Sequence, residues 1–264
     1  MGQGSARLIN VVVTGGGTIA PIDDVRVITN TSTGRLSSRI TEACLEAGAR
    51  VWHIHAPSAE LPFLREARFD LETTNEAAEA ARLKALLGRW RAVRDRLHLV
   101  PLEKGNVADY AANLERVLRS RPIDVAFLAM AVADFEPVPI EGKLSSGLRR
   151  LRVDGQPTPK VIQSVRDWSP GSFLVGFKLL SGVSTAELIA TAREACRVNH
   201  ADLTVANDQE AVRAGRHAIH LVWADDARAV ETLDPDQDIA RGLVERVLAA
   251  RTRAVHPLDG PPLP

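Results

Sequence analysis

Three consecutive glycines, Gly15, Gly16 and Gly17, end a run of apolar, mostly β-branched residues from Leu8 to Val13. A strand that stops in glycines lets backbone N–H groups approach a phosphate or carboxylate with no side chain between them. The same triplet in a bare tight turn binds nothing, so it does not decide by itself. The next forty residues narrow the fold. A helical pattern runs from about Leu36 to Ala47 and stops at Gly48, a natural helix end. Val51 to His55 then reads as a second strand. Strand, glycine turn, helix, strand opens a parallel α/β sheet, whose ligands bind outside the carboxyl ends of the strands.

The alternation continues. Helices are expected over Asn75–Arg96, Val107–Arg119, Thr185–Val198 and Asp236–Ala250. Strands are expected over Leu97–Val100, Val125–Ala131, Phe173–Phe177, Leu203–Ala206 and Ala218–Trp223. Pro57–Leu71 and Glu141–Gly155 show no period and read as loops. The sum predicts a Rossmann-like, mostly parallel sheet flanked by helices. It forms a single domain over residues 6–252, followed by a proline-rich disordered tail over 253–264.

Composition removes several function classes. Lys plus Arg and Asp plus Glu both total 33, so net charge gives no case for nucleic-acid binding. No apolar run approaches the roughly 18 residues of a membrane span. Met1-Gly2-Gln3-Gly4-Ser5 leads into the first strand without a signal peptide, and Ala6 breaks a myristoylation pattern. Cys44 and Cys196 are the only cysteines and cannot build a disulfide framework or a metal cluster. A reducing cytoplasm is the expected location. His53 and His55 share a strand face but lack a third ligand, so no metal site is expected.

The glycine turn has three readings. A dehydrogenase needs Gly-x-Gly-x-x-Gly spacing, which the turn lacks. The short-chain type also needs a tyrosine with a lysine four residues on, and the only tyrosine, Tyr110, is followed there by Leu114. An asparaginase-like hydrolase has one glycine fewer at Thr14–Ala20 and a downstream threonine–aspartate motif that is missing. The third reading starts at Pro21–Arg35, an odd segment for mere connection. Arg26 can hold an anion, Asn30 can orient a carbonyl or acyl phosphate, and Thr31 and Ser32 can cap the next helix.

Here the chain resembles the phosphopantothenoylcysteine synthetase (phosphopantothenate–cysteine ligase) family. The resemblance rests on Thr14–Thr18, Ile22-Asp23-Asp24-Val25-Arg26 and Asn30-Thr31-Ser32-Thr33-Gly34. It continues in Ala131-Val132-Ala133-Asp134-Phe135, Lys143–Ser146, Thr158-Pro159-Lys160, Val175–Leu180 and Ala201–Asp208. Any one motif is weak; their order is specific. It resembles the stand-alone form, so no flavin is expected.

The resemblance implies ligation of 4′-phosphopantothenate to L-cysteine through an acyl nucleotidylate. CTP or ATP with Mg²⁺ would drive it, in a homodimer. It implies catalytic roles for Asn30, Lys143 and Arg26. It implies nucleotide binding by Gly15, Gly16, Gly17, Thr18, Ala131, Asp134, Lys160 and Phe177. Taken alone, Lys143 reads as a solvated loop charge, Asp134 as a turn cap and Phe177 as core. Only five lysines occur among the 33 basic residues, and Lys143, Lys160 and Lys178 fall in family-like segments. One departure stands out. The family's two nucleotide-contacting lysines, four apart on a helix, align with Glu194 and Val198. A non-catalytic nucleotide-binding relative of the same fold is therefore the alternative, with an NAD(P)-binding oxidoreductase behind it.

Overall fold

Parallel strands covered on both faces read as continuous apolar runs, and these runs place the sheet. The structure is a computed structural model that describes residues 7–147, 149–216 and 218–255. In chain order its elements are β1 (Asn10–Gly15), β2 (Ile19–Pro21), β3 (Val27–Thr29), α1 (Arg35–Glu46), β4 (Arg50–His55), α2 (Glu76–Val93), β5 (Leu97–Pro101), α3 (Val107–Ser120), β6 (Val125–Leu128), β7 (Phe135–Pro137), β8 (Gly155–Pro157), α4 (Val165–Trp168), β9 (Phe173–Leu180), α5 (Thr185–Asn199), β10 (Leu203–Asp208), α6 (Gln209–Arg213), β11 (Ile219–Trp223), β12 (Glu231–Leu233) and α7 (Ile239–Val255).

One eight-stranded sheet has the order β12-β11-β10-β9-β6-β1-β4-β5. The six strands from β10 to β5 are parallel, and β11 and β12 add antiparallel pairs at one edge. From β1 the chain winds outward through β4 to β5, then returns to β6 on the other side of β1. That reversal opens a crevice at the carboxyl ends of β1 and β6, where doubly wound sheets bind ligands.

The two faces carry separate cores. Val11 and Val13 of β1 pack with Ile40 of α1 and Leu243 of α7, while Val12 joins Leu114 of α3 and Leu174 of β9; all are fully buried. Leu188 and Ala192 of α5 close the second face over β10 and β11. Burying one such side chain contributes about 1.5–3 kcal/mol. Tyr110 also lies in the core, where burial pushes its phenol up to about 12 despite a hydrogen bond with Thr14.

The single-domain, mostly parallel sheet matches expectation, and the element bounds differ in informative places. The strand expected over Val125–Ala131 stops at Leu128, because the chain then turns to line the crevice. The helix from Asn75 ends at Val93 and tightens into a 3₁₀ turn over Arg94–Arg96. Gly34, with φ of 75°, is the N-cap of α1, so neither Thr31 nor Ser32 caps it. Gly48 does take the left-handed conformation after α1, with φ of 88°. The α7 helix runs to Val255, past the boundary expected at 252, and the expected tail beyond it lies outside the described residues. The hairpins β2–β3 and β7–β8 were not expected.

His53 is fully buried in β4, with Nδ1 at 2.7 Å from Thr41 Oγ1 and Nε2 without a partner. Burial first, and the neighbouring His55 second, hold its pKa down to about 3. The unfolded chain therefore binds a proton near pH 6.5 that the folded chain refuses until about pH 3. Acidification through that window costs stability. In thermal melts across it, His53→Gln should flatten the acid limb relative to the parent; parallel limbs would remove His53 as its source.

Candidate functional site

The crevice floor is built by one exchange between two loops. After β1, Gly16 O accepts from Ala131 N at 2.9 Å, and Ala131 O accepts from Thr18 N at 3.0 Å. Gly17 and Ala131 thus form an isolated parallel bridge beyond the end of β6. Thr14 Oγ1 accepts from Met130 N at 3.2 Å, and Thr18 Oγ1 accepts from Ala133 N at 2.8 Å. Two buried threonines so fix the strand-end loop that carries Ala131 to Asp134.

The glycines have distinct jobs. A Cβ on Gly15 would lie 1.9 Å from Ser37 Oγ, so this residue admits α1 against β1. Gly16 has φ of 89° and would meet Ala56 Cβ at 2.7 Å. A Cβ on Gly17 would lie 2.6 Å from Asn30 O. The close approach at Gly17 brings Asn30 over the turn, where its Nδ2 donates to Ala131 O at 3.0 Å. Asn30, Gly17 and Ala131 therefore meet at one point, and the Asn30 side chain is exposed to the crevice.

The other expected site residues have local partners of their own, and only Asp134 and Lys160 meet each other. Asp134 and Lys160 form an ion pair between the loops after β6 and before α4. Both are more than half exposed, so the pair adds little stability and opens readily to a ligand. Thr158 Oγ1 donates to Ala133 O at 2.5 Å and braces the same loop. Phe177 is half-buried near the carboxyl end of β9 and packs on the first core. Arg26 pairs with Asp23 and donates from Nη1 to Leu144 O at 3.3 Å. Burial alone would raise the Asp23 carboxyl. The amides of Val25, Leu144 and Arg26 and the Arg26 guanidinium outweigh it and hold the group near about 2. Lys143 is exposed, next to Leu144.

Thr14, Thr158 and Asp23 carry much of this geometry, and the sequence alone assigns none of them a role of its own. All three lie inside family-like segments, but no local pattern marks which of those residues carries a hydrogen bond across the site. Thr18 was expected at the nucleotide, but it is fully buried with its hydroxyl committed to Ala133, which places it in the floor.

A cavity of about 850 Å³ opens on the other side of the turn, between α1 and the loop after β4. Its rim includes Arg35, Arg39, Glu60 and Arg65, but these pair internally: Arg35 with Glu60, Arg39 with Asp238, Arg65 with Glu42. Among the described residues, no three His, Cys, Asp or Glu side chains are placed to hold a metal ion, and no helix is long and apolar enough to cross a membrane.

Glu194 and Val198 sit in the second half of α5, both exposed, with Glu194 paired to Arg197. α5 starts at the carboxyl edge of the sheet and runs back. At 1.5 Å per residue, Val198 lies roughly 20 Å along the axis from Thr185. The departure is therefore remote from the crevice of its own chain.

The chain is 33% identical over 219 residues to the coenzyme A biosynthesis bifunctional protein CoaBC of Thermococcus kodakarensis, covering 83% of this chain and 46% of that protein. It thus spans about half the length of that relative. It is 28% identical over 263 residues to the phosphopantothenate–cysteine ligase of Mus musculus, covering 89% of this chain and 81% of the mouse protein. The crystal structure of the DNA/pantothenate metabolism flavoprotein from Streptococcus pneumoniae superposes with a TM-score of 0.71 at 27% identity, covering 92% of this chain and 100% of that one. The family described as the DNA/pantothenate metabolism flavoprotein C-terminal domain matches residues 7–86 and 103–250, and the chain belongs to that family.

Proposed function

We propose that this protein is a ligase of coenzyme A biosynthesis that joins 4′-phosphopantothenate to L-cysteine at the expense of a nucleoside triphosphate, CTP or ATP. The observation that carries the reading is the meeting of Asn30, Gly17 and Ala131 at the β1–β6 crevice, in a chain of this family. A carboxylate is a poor electrophile, so it must be activated first. Its oxygen attacks the α-phosphorus, and pyrophosphate leaves. The cysteine amine then attacks the acyl carbon, the nucleoside monophosphate leaves, and the amine proton passes to solvent.

The residues present suit these steps. Asn30 Nδ2 is a donor at the crevice and can turn from Ala131 O to the developing charge of the intermediate. Lys143 and Arg26 supply cationic charge for phosphate oxygens. Asp134 can accept from an exocyclic amine of the base once its pair with Lys160 opens, and Lys160 is then free for phosphate. Phe177 offers a ring near the base. Mg²⁺ would arrive bound to the triphosphate and would supply Lewis-acid charge neutralisation there.

A second copy of the chain completes the reading. Val25, Val27 and Ile28 on the β2–β3 hairpin and Phe135 and Val138 near β7 are exposed, and the hairpin packs beside β7. Apolar groups gathered there favour a homodimer built on that face. Cys44 and Cys196 are buried and free, as suits a reducing cytoplasm.

The test is pyrophosphate release with Mg²⁺, 4′-phosphopantothenate and L-cysteine, comparing CTP with ATP, with mass spectrometry for phosphopantothenoylcysteine. Product with either nucleotide establishes the ligase. Nucleotide binding without pyrophosphate release, from folded protein, moves the assignment to a non-catalytic relative and turns attention to Glu194 and Val198.

A further inference from the structure

The segment that carries Lys143 is laced to the β2–β3 hairpin. Ile140 N donates to Ile22 O at 2.9 Å, and Asp24 N donates to Gly142 O at 3.1 Å. Leu144 N donates to Asp23 Oδ2 at 3.0 Å. The other oxygen, Asp23 Oδ1, accepts from the amides of Val25 and Arg26 at 2.9 and 2.7 Å. Arg26 Nη1 closes the ring by donating to Asp23 Oδ2 and to Leu144 O. The Asp23 side chain has no exposed surface, while Arg26 stays about one-third exposed. Lys143 stands between two tied residues, Gly142 and Leu144, with its own side chain in solvent.

We propose that Asp23 is the positioning residue of the site, holding Arg26 and the backbone of Lys143 in one unit so that the two cations meet the substrate phosphates as a fixed pair. The proposal rests on the ligase reading above. A buried carboxylate that accepts two hairpin amides, the Leu144 amide and a guanidinium cannot release one partner cheaply, because each freed donor would lose its bond in a partly dry place. Its low pKa keeps it ionised across the working range. Beyond Leu144, Ser145, Ser146 and Gly147 are exposed and have no such bond to the hairpin among the described residues.

Asp23→Asn keeps the volume but can set an NH₂ against the Leu144 amide and the Arg26 guanidinium, donor against donor. Expected is a fall in kcat of about tenfold or more, as for a lost transition-state contact. The decisive readout is a double-mutant cycle. Lys143→Ala should lower kcat in the parent and change it by less than about twofold in the Asp23→Asn background, as for coupled sites. Multiplying losses would overturn the proposal. Should Asp23→Asn not fold, limited trypsin digestion of the parent decides. Cleavage after Arg149, Arg150 or Arg152 should precede cleavage after Lys143, and a first cut after Lys143 would overturn it. A parent without pyrophosphate release would sink the ligase reading, while the order of tryptic cuts would still report on the Asp23 clamp.

Discussion

Asn30→Ala is expected to cut turnover by about 10²–10³-fold, the usual loss on removing one donor aimed at developing negative charge. The fold should hardly notice. The Asn30 side chain is exposed, and its one bond to the protein goes to Ala131 O, which keeps a second donor in Thr18 N. The loss should fall in kcat with the nucleotide KM changed little, because the amide is asked to act on the intermediate. Asn30→Asp has the same shape but no N–H, and it should be as poor as alanine or poorer. Steady-state pyrophosphate release on purified variants checks both. Turnover within a fewfold of the parent would take Asn30 out of the mechanism, and a functional Asn30→Asp would show that donation is not its role.

Gly16→Ala should destabilise the protein strongly. Two costs add at that position. The left-handed backbone, with φ of 89°, disfavours any side chain by about 1–2 kcal/mol. The new Cβ would also lie 2.7 Å from Ala56 Cβ and 2.9 Å from Ala59 Cβ, and such overpacking costs about 1–3 kcal/mol. Gly48→Ala is the matched control. Its φ is 88°, and nothing lies within 4 Å of the added carbon, so only the backbone cost applies. Urea unfolding of the two variants should separate them by about the overpacking cost. Gly16→Ala should also lose turnover, because Gly16 O holds Ala131 N. Equal destabilisation at both positions would mean that the turn is not tightly packed against Ala56 and Ala59.

The central parallel strands were legible because they are buried on both faces, which writes a plain apolar run into the sequence. Their helices were legible from period and caps. The β2–β3 hairpin was not. β3 has three residues, all exposed, and β2 is followed by Ile22-Asp23-Asp24-Val25-Arg26, which locally reads as polar loop. Its structure comes from contacts with residues 140–144, far along the chain. The overrun of β6 has a related cause. Met130 and Ala131 are apolar because they floor the crevice, and composition does not distinguish a strand from a strand-end loop with the same surroundings. At the site, motif order placed Asn30 and Ala131 in one family pattern, and the fold adds their hydrogen bond. The partner of Arg26 was hidden: a carboxylate three residues earlier looks like a solvated charge until Leu144 is seen above it.

Asp124, at the amino end of β6, accepts from Arg7 and Arg251 on the same oxygen, and its other oxygen accepts from Asn10 N at 2.8 Å. The first described residue and the last turns of α7 are thus held together at one spot. That spot lies at the opposite end of β1 and β6 from the glycine turn. Polypeptide joined at either end would start from the edge of the sheet opposite the glycine turn, clear of the crevice. This fold can therefore be joined to further chain, as a matching stretch is in the longer Thermococcus relative, without covering the crevice.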